Sequence, residues 1–459
     1  MRSNFDYQDY CPQPDNHDLD HIPGHDGLPW IGQMIPLVSN PVPTLRRQFE
    51  RFGPVSRTKL TGQRGLWLLG PEYSKQLMLD SEQIFSSRMG YDGSMGDFFR
   101  GGLVTRDFSD HRIHRRIMLT AFKFETLQGY LPAIQSITDR RVGEWAAMPQ
   151  FRFYPQIKSL LLDIGAQVFM GLELESDIQR INHAFSELMA GSLAVIRKDL
   201  PLPWLRYRRG MNGRRRLMTY FRELVPQRRT GEGRDMLSLF SRERDEQGEL
   251  FDDEVVTDHL VFLLLAAHDT TTSALTMASY WLARHPEWQE RARLEANEFS
   301  QSEGQFQDLR DRLPIIESIF HETLRMHPPV PLIMRRTVRD TELGGFEVPA
   351  HTLVSSAPAF THYMKEYWSN PDQFDPGRFA PDRREQAGHA FLWVPFGGGA
   401  HKCIGLHFAD LLFKRVMLSI LGQYRFAQPA GVTEPSAIQH FPFAKVIDDL
   451  PLVLERIRE

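Results

Sequence analysis

Reactive chemistry in this chain is concentrated at Phe396-Gly397-Gly398-Gly399-Ala400-His401-Lys402-Cys403-Ile404-Gly405. Cysteine occurs only twice, at Cys11 in a polar leader and at Cys403. Cys403 follows a glycine run and precedes an apolar, helix-compatible segment, Leu406 to Leu418. A thiolate is a strong donor to haem iron, and as an axial ligand it must lie close under a flat ring. Glycines permit that approach and leave N–H groups directed at the sulfur. The start of the following helix adds positive potential that favours the thiolate. The plainer alternative is a glycine-rich turn before a helix, with one inert buried cysteine.

Three further stretches carry polar groups where they need a reason. Asp253 to Arg284, closed by His285-Pro286, predicts a helix of roughly 30 residues spanning about 45 Å. Its apolar middle contains His268-Asp269-Thr270-Thr271-Thr272. Thr and Asp compete for backbone hydrogen bonds in helices, so the plain alternative has each hydroxyl bonded to the carbonyl one turn back. Glu322 and Arg325 share one helical face. Alone they form an ordinary surface pair of little worth. Asp110 to Arg116 opens a helix with its cations on one side, which is usually a solvated face.

Taken in order, these stretches resemble the cytochrome P-450 monooxygenases. The family pattern Phe-Gly-x-Gly-x-(His or Arg)-x-Cys-x-Gly is met at every fixed position from Phe396 through Gly397 to Gly405. The resemblance implies heme b with Cys403 as its thiolate and metal ligand, His401 at a propionate and Phe396 beside the sulfur. His111 and Arg115 stand where the family has Trp-x-x-x-Arg, so Arg115 and His111 are expected at a propionate; a guanidinium fork suits a carboxylate. Arg335, five residues before Asp340, is expected at the propionates too, with Arg336 as a confusable neighbour. Thr270 and Asp269 match the family's oxygen-side motif and imply proton delivery to O2. Ala266 opens that motif, and Ala267 replaces its usual glycine. The helix is expected to open locally there and hold water. Glu322, Arg325 and Arg378 (in Phe374-Asp375-Pro376-Gly377-Arg378-Phe379) are expected to form a buried network fixing the loop that leads to Cys403. Leu263, Ala266, Val330, Leu332, Ile333, Met334 and Phe441 imply an apolar substrate pocket.

The elements that must position these groups follow from pattern. Val55 to Leu60 and Gly65 to Leu69 read as strands around Thr61-Gly62-Gln63. Tyr73 to Leu79, Phe151 to Glu173 and Ser176 to Leu200 read as helices. Phe85 to Phe108 reads as irregular, and the resemblance makes it a mobile cover over the substrate. Residues 1–20 are expected to be a flexible polar tail. Length alone suggests two or three domains, whereas the resemblance implies a single domain over 21–459. The implied fold is mainly α with a small β-rich region, the haem held between the long central helix and the Cys403 loop.

The 459 residues carry a formal net charge of −4, which argues against nucleic acid as partner. Two cysteines form no disulfide framework and fit a reducing cytosol. The start has no apolar core of a signal peptide or membrane anchor, so a soluble, cytoplasmic, bacterial-type protein and a monomer are expected. The expected activity is hydroxylation of a small apolar substrate of terpenoid, steroid or fatty-acyl type. Electrons would come from a separate ferredoxin or flavodoxin and its reductase, docking on Arg112, Arg116, Lys123, Lys402, Lys414 and Arg415. The alternatives are a haem-thiolate peroxygenase or isomerase, and a non-catalytic haem protein that binds a ligand.

Overall fold

The computed structural model describes residues 18–457 apart from 61, 146, 149, 173–174, 195–201, 203, 246, 302–305 and 432–436. Most of the expected tail, Cys11, and the end of the helix expected to reach Leu200 thus lie outside the described residues. Where description begins, the chain is already docked. Leu19 and Ile22 are 0% and 1% exposed and join the apolar cluster under the sheet. Leu19, within the stretch expected to be tail, is thus held by apolar burial.

Among the described residues, ten helices have 11 residues or more. They are α1 (Pro41–Phe52), α2 (Phe108–Met118), α3 (Phe124–Trp145), α4 (Phe153–Met170), α5 (Glu175–Ser192), α6 (Arg206–Thr230), α7 (Asp253–Leu282), α8 (Pro286–Gln301), α9 (Pro314–Met326) and α10 (Leu406–Gln423). Helix α7 is the axis. Of its 30 residues 21 are buried, so neighbours cover it nearly all round. It is long and apolar enough to cross a membrane by length and composition, and its most apolar stretch is 78% buried inside the fold. One continuous apolar core joins α7 to α4, α9 and α10 through residues such as Leu161, Leu264, Phe320 and Phe413.

The β-rich part is small. Strands β1 (Val55–Leu60), β2 (Gln63–Leu68), β3 (Phe85–Ser86), β4 (Ile333–Thr337) and β7 (Leu353–Ser356) form a sheet in the order β1-β2-β7-β4-β3. Between β4 and β7, β5 (Thr341–Leu343) and β6 (Phe346–Val348) make a separate hairpin. Strand β2 starts two residues earlier than expected because the tight turn lets Gln63 pair with Leu60. Gly65 is required inside it: a Cβ there would stand 2.5 Å from the Leu353 carbonyl oxygen of the parallel neighbour.

The stretch expected to be irregular is instead a chain of short helices, at Ser87–Tyr91, Asp92–Gly96, Asp97–Phe99 and Leu103–Thr105. The first three follow one another directly, and Gly101, at positive φ, separates them from the fourth. The architecture is mainly α with a small β-rich region, as expected.

Candidate active site

Cys403 is held by its own loop. Its N–H donates to the Phe396 carbonyl at 2.8 Å, which closes the turn. Gly399, at φ +60°, passes the Met78 carbonyl so closely that a Cβ would sit 1.8 Å from that oxygen. Cys403 is exposed, yet burial pushes its thiol above the ordinary range, against the Gly405 N–H and the charges of Arg115 and Lys402. A side chain both reachable and deep lies on the wall of an internal cleft. The Phe396 ring lies 6.2 Å from Trp393 and 6.3 Å from Phe320.

Four basic side chains converge on this cleft from three elements. Helix α2 supplies His111 and Arg115, β4 supplies Arg335, and the Cys403 loop supplies His401. The His111 and His401 rings lie 3.9 Å apart. Burial, then the Arg115 and Arg335 charges, pushes His111 down to about 4. Burial, Arg335, His111 and Arg115 hold His401 well below its usual value. Both imidazoles are therefore neutral donors at pH 7. Among the described residues no carboxylate pairs with Arg115 or Arg335. Arg115 is half-buried, and Arg335 is 6% exposed, donates to the Met334 carbonyl at 2.8 Å and feels Asp80 and Asp107 only at a distance, so the pair suits one or two carboxylates from outside the chain. The propionates of a haem fit that requirement, and Cys403 fits its iron.

The confusable Arg336 points elsewhere. Alternation along β4 puts Ile333 and Arg335 on one face and Met334 and Arg336 on the other. Arg336 is spent on the Met89 and His351 carbonyls and on Gln63.

Helix α7 carries half-buried positions of its own. Phe262, Ala266 and Thr270 recur every four residues and are half-buried, whereas Leu263, Leu264, Leu265, His268 and Asp269 are buried. One apolar stripe ending in a hydroxyl thus faces an opening. The helix is continuous rather than locally opened: Thr270 Oγ1 donates to the Ala266 carbonyl at 2.6 Å, and Thr272 to that of His268 at 2.9 Å. Back-bonded hydroxyls leave the i to i−4 ladder intact. Asp269, about 100° further round, faces α4 instead. It lies 3.1 Å from His268 Nδ1 and 3.4 Å from Lys158 Nζ. Burial alone would raise its carboxyl, but His268 and Lys158 outweigh that and hold it below the usual range.

Of the expected pocket residues, Ala266 lies on the stripe, Met334 is half-buried on β4 and Val330 is 40% exposed. Leu263 and Ile333 are closed into the two cores at 2% and 8% exposure. Leu332 and Phe441 pack on the cluster around Trp67 and Phe360. Phe262 was not anticipated, although its spacing of four from Ala266 could have revealed it.

Glu322, Arg325 and Arg378 meet at 0% exposure. Glu322 receives Arg325 Nε at 2.7 Å, Arg378 Nε at 3.1 Å and the Asp375 N–H at 2.9 Å. The arginines spend their remaining donors on the His362, Ser369 and Gln373 carbonyls and on Glu385. His362, unread in the sequence, extends the network towards the cysteine loop. Its Nε2 accepts the Val394 N–H at 3.0 Å, so its Nδ1 carries the proton and donates to the Arg325 carbonyl at 3.1 Å.

These buried imidazoles predict acid lability. Burial pushes His362 and His327 down to about 3 and His321 to about 4. Below pH 6.5 the unfolded chain takes up protons that the folded chain refuses. Each such histidine then lowers stability by about 1.4 kcal/mol per pH unit, while stability is full above pH 6.5. The thermal midpoint should fall steeply between pH 6.5 and 5, with net proton uptake on unfolding. A flat midpoint from pH 7.5 to 5 would contradict this.

Two expected docking cations are corrected. Lys414 is 1% exposed and spent on Glu317 at 2.8 Å, Asp410 at 3.0 Å and the Arg310 carbonyl at 3.2 Å. Arg415 pairs with Asp139 at 3.1 Å. Arg112, Arg116, Lys123 and Lys402 are exposed.

The model of the family described as cytochrome P-450 matches residues 22–448. The chain belongs to the cytochrome P-450 family. It is 34% identical over 463 residues to a Mycobacterium tuberculosis protein named as a cytochrome P-450 136, covering 99% of this chain and 92% of that one. It is 28% identical to a taxane 10-beta-hydroxylase of Taxus cuspidata, covering 85% and 80%. The solved structure of a retinoic acid-bound cyanobacterial CYP120A1 superposes with a TM-score of 0.83 at 26% identity, over 95% of this chain and 99% of that one. This cytochrome P-450 uses a haem-thiolate cofactor and is a monooxygenase.

Proposed function

We propose that this cytochrome P-450 hydroxylates a small apolar molecule of terpenoid, steroid or fatty-acyl type, with electrons from a separate ferredoxin or flavodoxin and its reductase. The observation that carries the substrate reading is the half-buried Phe262–Ala266–Thr270 stripe, which offers apolar surface ending in one hydroxyl. The similarity to a taxane hydroxylase and to a retinoic acid-bound protein supports it.

When bound, haem supplies the activation of O2 and the oxidation of a C–H bond. The chain's own residues supply the rest. Cys403 would hold the iron and supply electron density to it. Arg115 and Arg335, with His111 and His401, would hold the ring's carboxylates. Thr270 can release the Ala266 carbonyl and turn its hydroxyl towards oxygen. Asp269 lies in contact with Lys158, whose side chain is 28% exposed, and so connects solvent to the helix interior for proton transfer. Exposed Arg112, Arg116, Lys123 and Lys402 suit an acidic donor whose approach salt would slow. A cytoplasmic location is part of the same proposal.

The test is Thr270→Ala. It should retain haem and substrate binding but divert electrons to peroxide, lowering product per electron about tenfold or more. Ferredoxin-driven reduction, followed across a salt series in the same experiment, should slow as salt rises. Unchanged coupling in the variant would remove Thr270 from proton delivery, and a salt-independent rate would remove the basic docking face.

A further inference from the structure

Arg335 comes from β4, whereas His111 and Arg115 come from α2. One buried carboxylate lies at the joint between these two arms. Asp107 is 2% exposed and stands directly before α2. Its carbonyl accepts the His111 N–H at 2.9 Å, which begins the helix. An aspartate at this position normally turns its carboxylate onto the first N–H groups of its own helix. Asp107 does not, and α2 starts without a side-chain cap.

The carboxylate is spent on the other arm. Oδ1 accepts the Ser87 N–H at 2.6 Å and the Arg88 N–H at 3.2 Å, and Oδ2 accepts the Ser86 hydroxyl. Ser86 Oγ in turn accepts the Met89 N–H at 2.9 Å. Ser86 and Ser87 are 0% exposed, so these groups have no water to turn to instead. Ser86 belongs to β3 and pairs with Arg336 of β4. Further along, a Cβ on Gly90 would stand 2.7 Å from the Arg335 Cα and N. The turn that Asp107 fastens therefore packs backbone to backbone on Arg335. Burial raises the Asp107 carboxyl, against the Ser86, Arg88 and Ser87 bonds and the Arg335 charge.

We propose that Asp107 is a positioning residue for the haem, setting the spacing between Arg335 and the His111–Arg115 pair so that both arms reach the carboxylates of one ring. The proposal rests on the reading that these arginines take the haem carboxylates. Asp107 itself touches neither the ring nor the iron in this role. It gives up the cap of α2 to tie the start of that helix to the turn on β4. A site assembled from two separate elements needs such a support if its donors are to arrive already spaced.

The test follows transfer of ferric haem from the holoenzyme to excess apomyoglobin, read at the Soret band. It is repeated on protein reconstituted with haem dimethyl ester, whose carboxylates are masked. Asp107→Ala should speed loss of native haem about tenfold relative to wild type, and loss of the ester by less than about threefold. The propionate bending bands of its resonance Raman spectrum should shift, a readout independent of turnover. Asp107→Asn keeps an acceptor for the Ser87 and Arg88 N–H groups and should stay within about threefold of wild type for both haems. Ser86→Ala removes one of the three bonds and should speed native haem loss about threefold; it carries the test should Asp107→Ala fail to fold. Arg335→Ala is the reference and should favour loss of native haem over the ester. Equal acceleration of both haems by Asp107→Ala, with Arg335→Ala still discriminating, would make Asp107 a general support of the fold and overturn the proposal. Equal acceleration by Arg335→Ala as well would remove that arginine from the carboxylates, and the proposal with it.

Discussion

Cys403→Ser should abolish the red-shifted Soret band of the ferrous–carbon monoxide complex and reduce monooxygenase turnover to background, while Cys11→Ser leaves both unchanged. The substitution swaps sulfur for oxygen on a side chain that faces the cleft, so little packing is lost. What disappears is the anionic donor: a serine hydroxyl does not ionise beside Arg115 and the Gly405 N–H as a thiol can. The loop should persist, because its closure rests on the backbone bond from Cys403 N–H to Phe396 and on Gly399 beside Met78. Haem is therefore expected to bind weakly through the arginines alone. A variant that kept the red-shifted band would place the ligand elsewhere.

Glu322→Ala should have the largest effect on folding. The carboxylate is 0% exposed and takes Arg325, Arg378 and the Asp375 N–H at once. Removing it leaves Arg325 buried with no directly paired anion and Arg378 with Glu385 alone, a loss of about 3–5 kcal/mol. Glu385 compensates only in part, since it reaches Arg378 but not Arg325. The damage should travel through His362 to Val394 and so to the cysteine loop. Haem recovered per chain and the denaturation midpoint should both fall sharply, and Glu322→Gln should be milder because it keeps the volume and one acceptor. A midpoint near that of the native protein would show the network to be dispensable.

How far the sequence could be read depended on how local each signal was. The Cys403 loop was legible because ten consecutive residues carry it, and α7 because its apolar pattern runs for 30 residues. Glu322, Arg325 and Arg378 were legible only through the family pattern. Nothing in the spacing says that positions 53 and 56 residues apart meet. His362 went unread for the same reason: its partners, Arg325 and Val394, are distant in sequence and are backbone groups. Lys414 was misread because a lysine on a helix defaults to solvent, and its three acceptors come from Glu317, Asp410 and Arg310. Thr270 and Thr272 of α7 took the plain alternative, each bonding back along the helix. The stretch from Phe85 to Phe108 looked irregular because its residues set no helical period, and a side chain that bonds it, Arg214, belongs to α6.

The central claim is that this chain holds haem through Cys403. The most direct measurement is the ferrous–carbon monoxide difference spectrum of the purified full-length protein, with haem quantified per chain. A red-shifted thiolate band at close to one haem per chain is the predicted result. A band at the shorter wavelength of an imidazole-ligated haem, in protein that is folded and haem-replete, would contradict it.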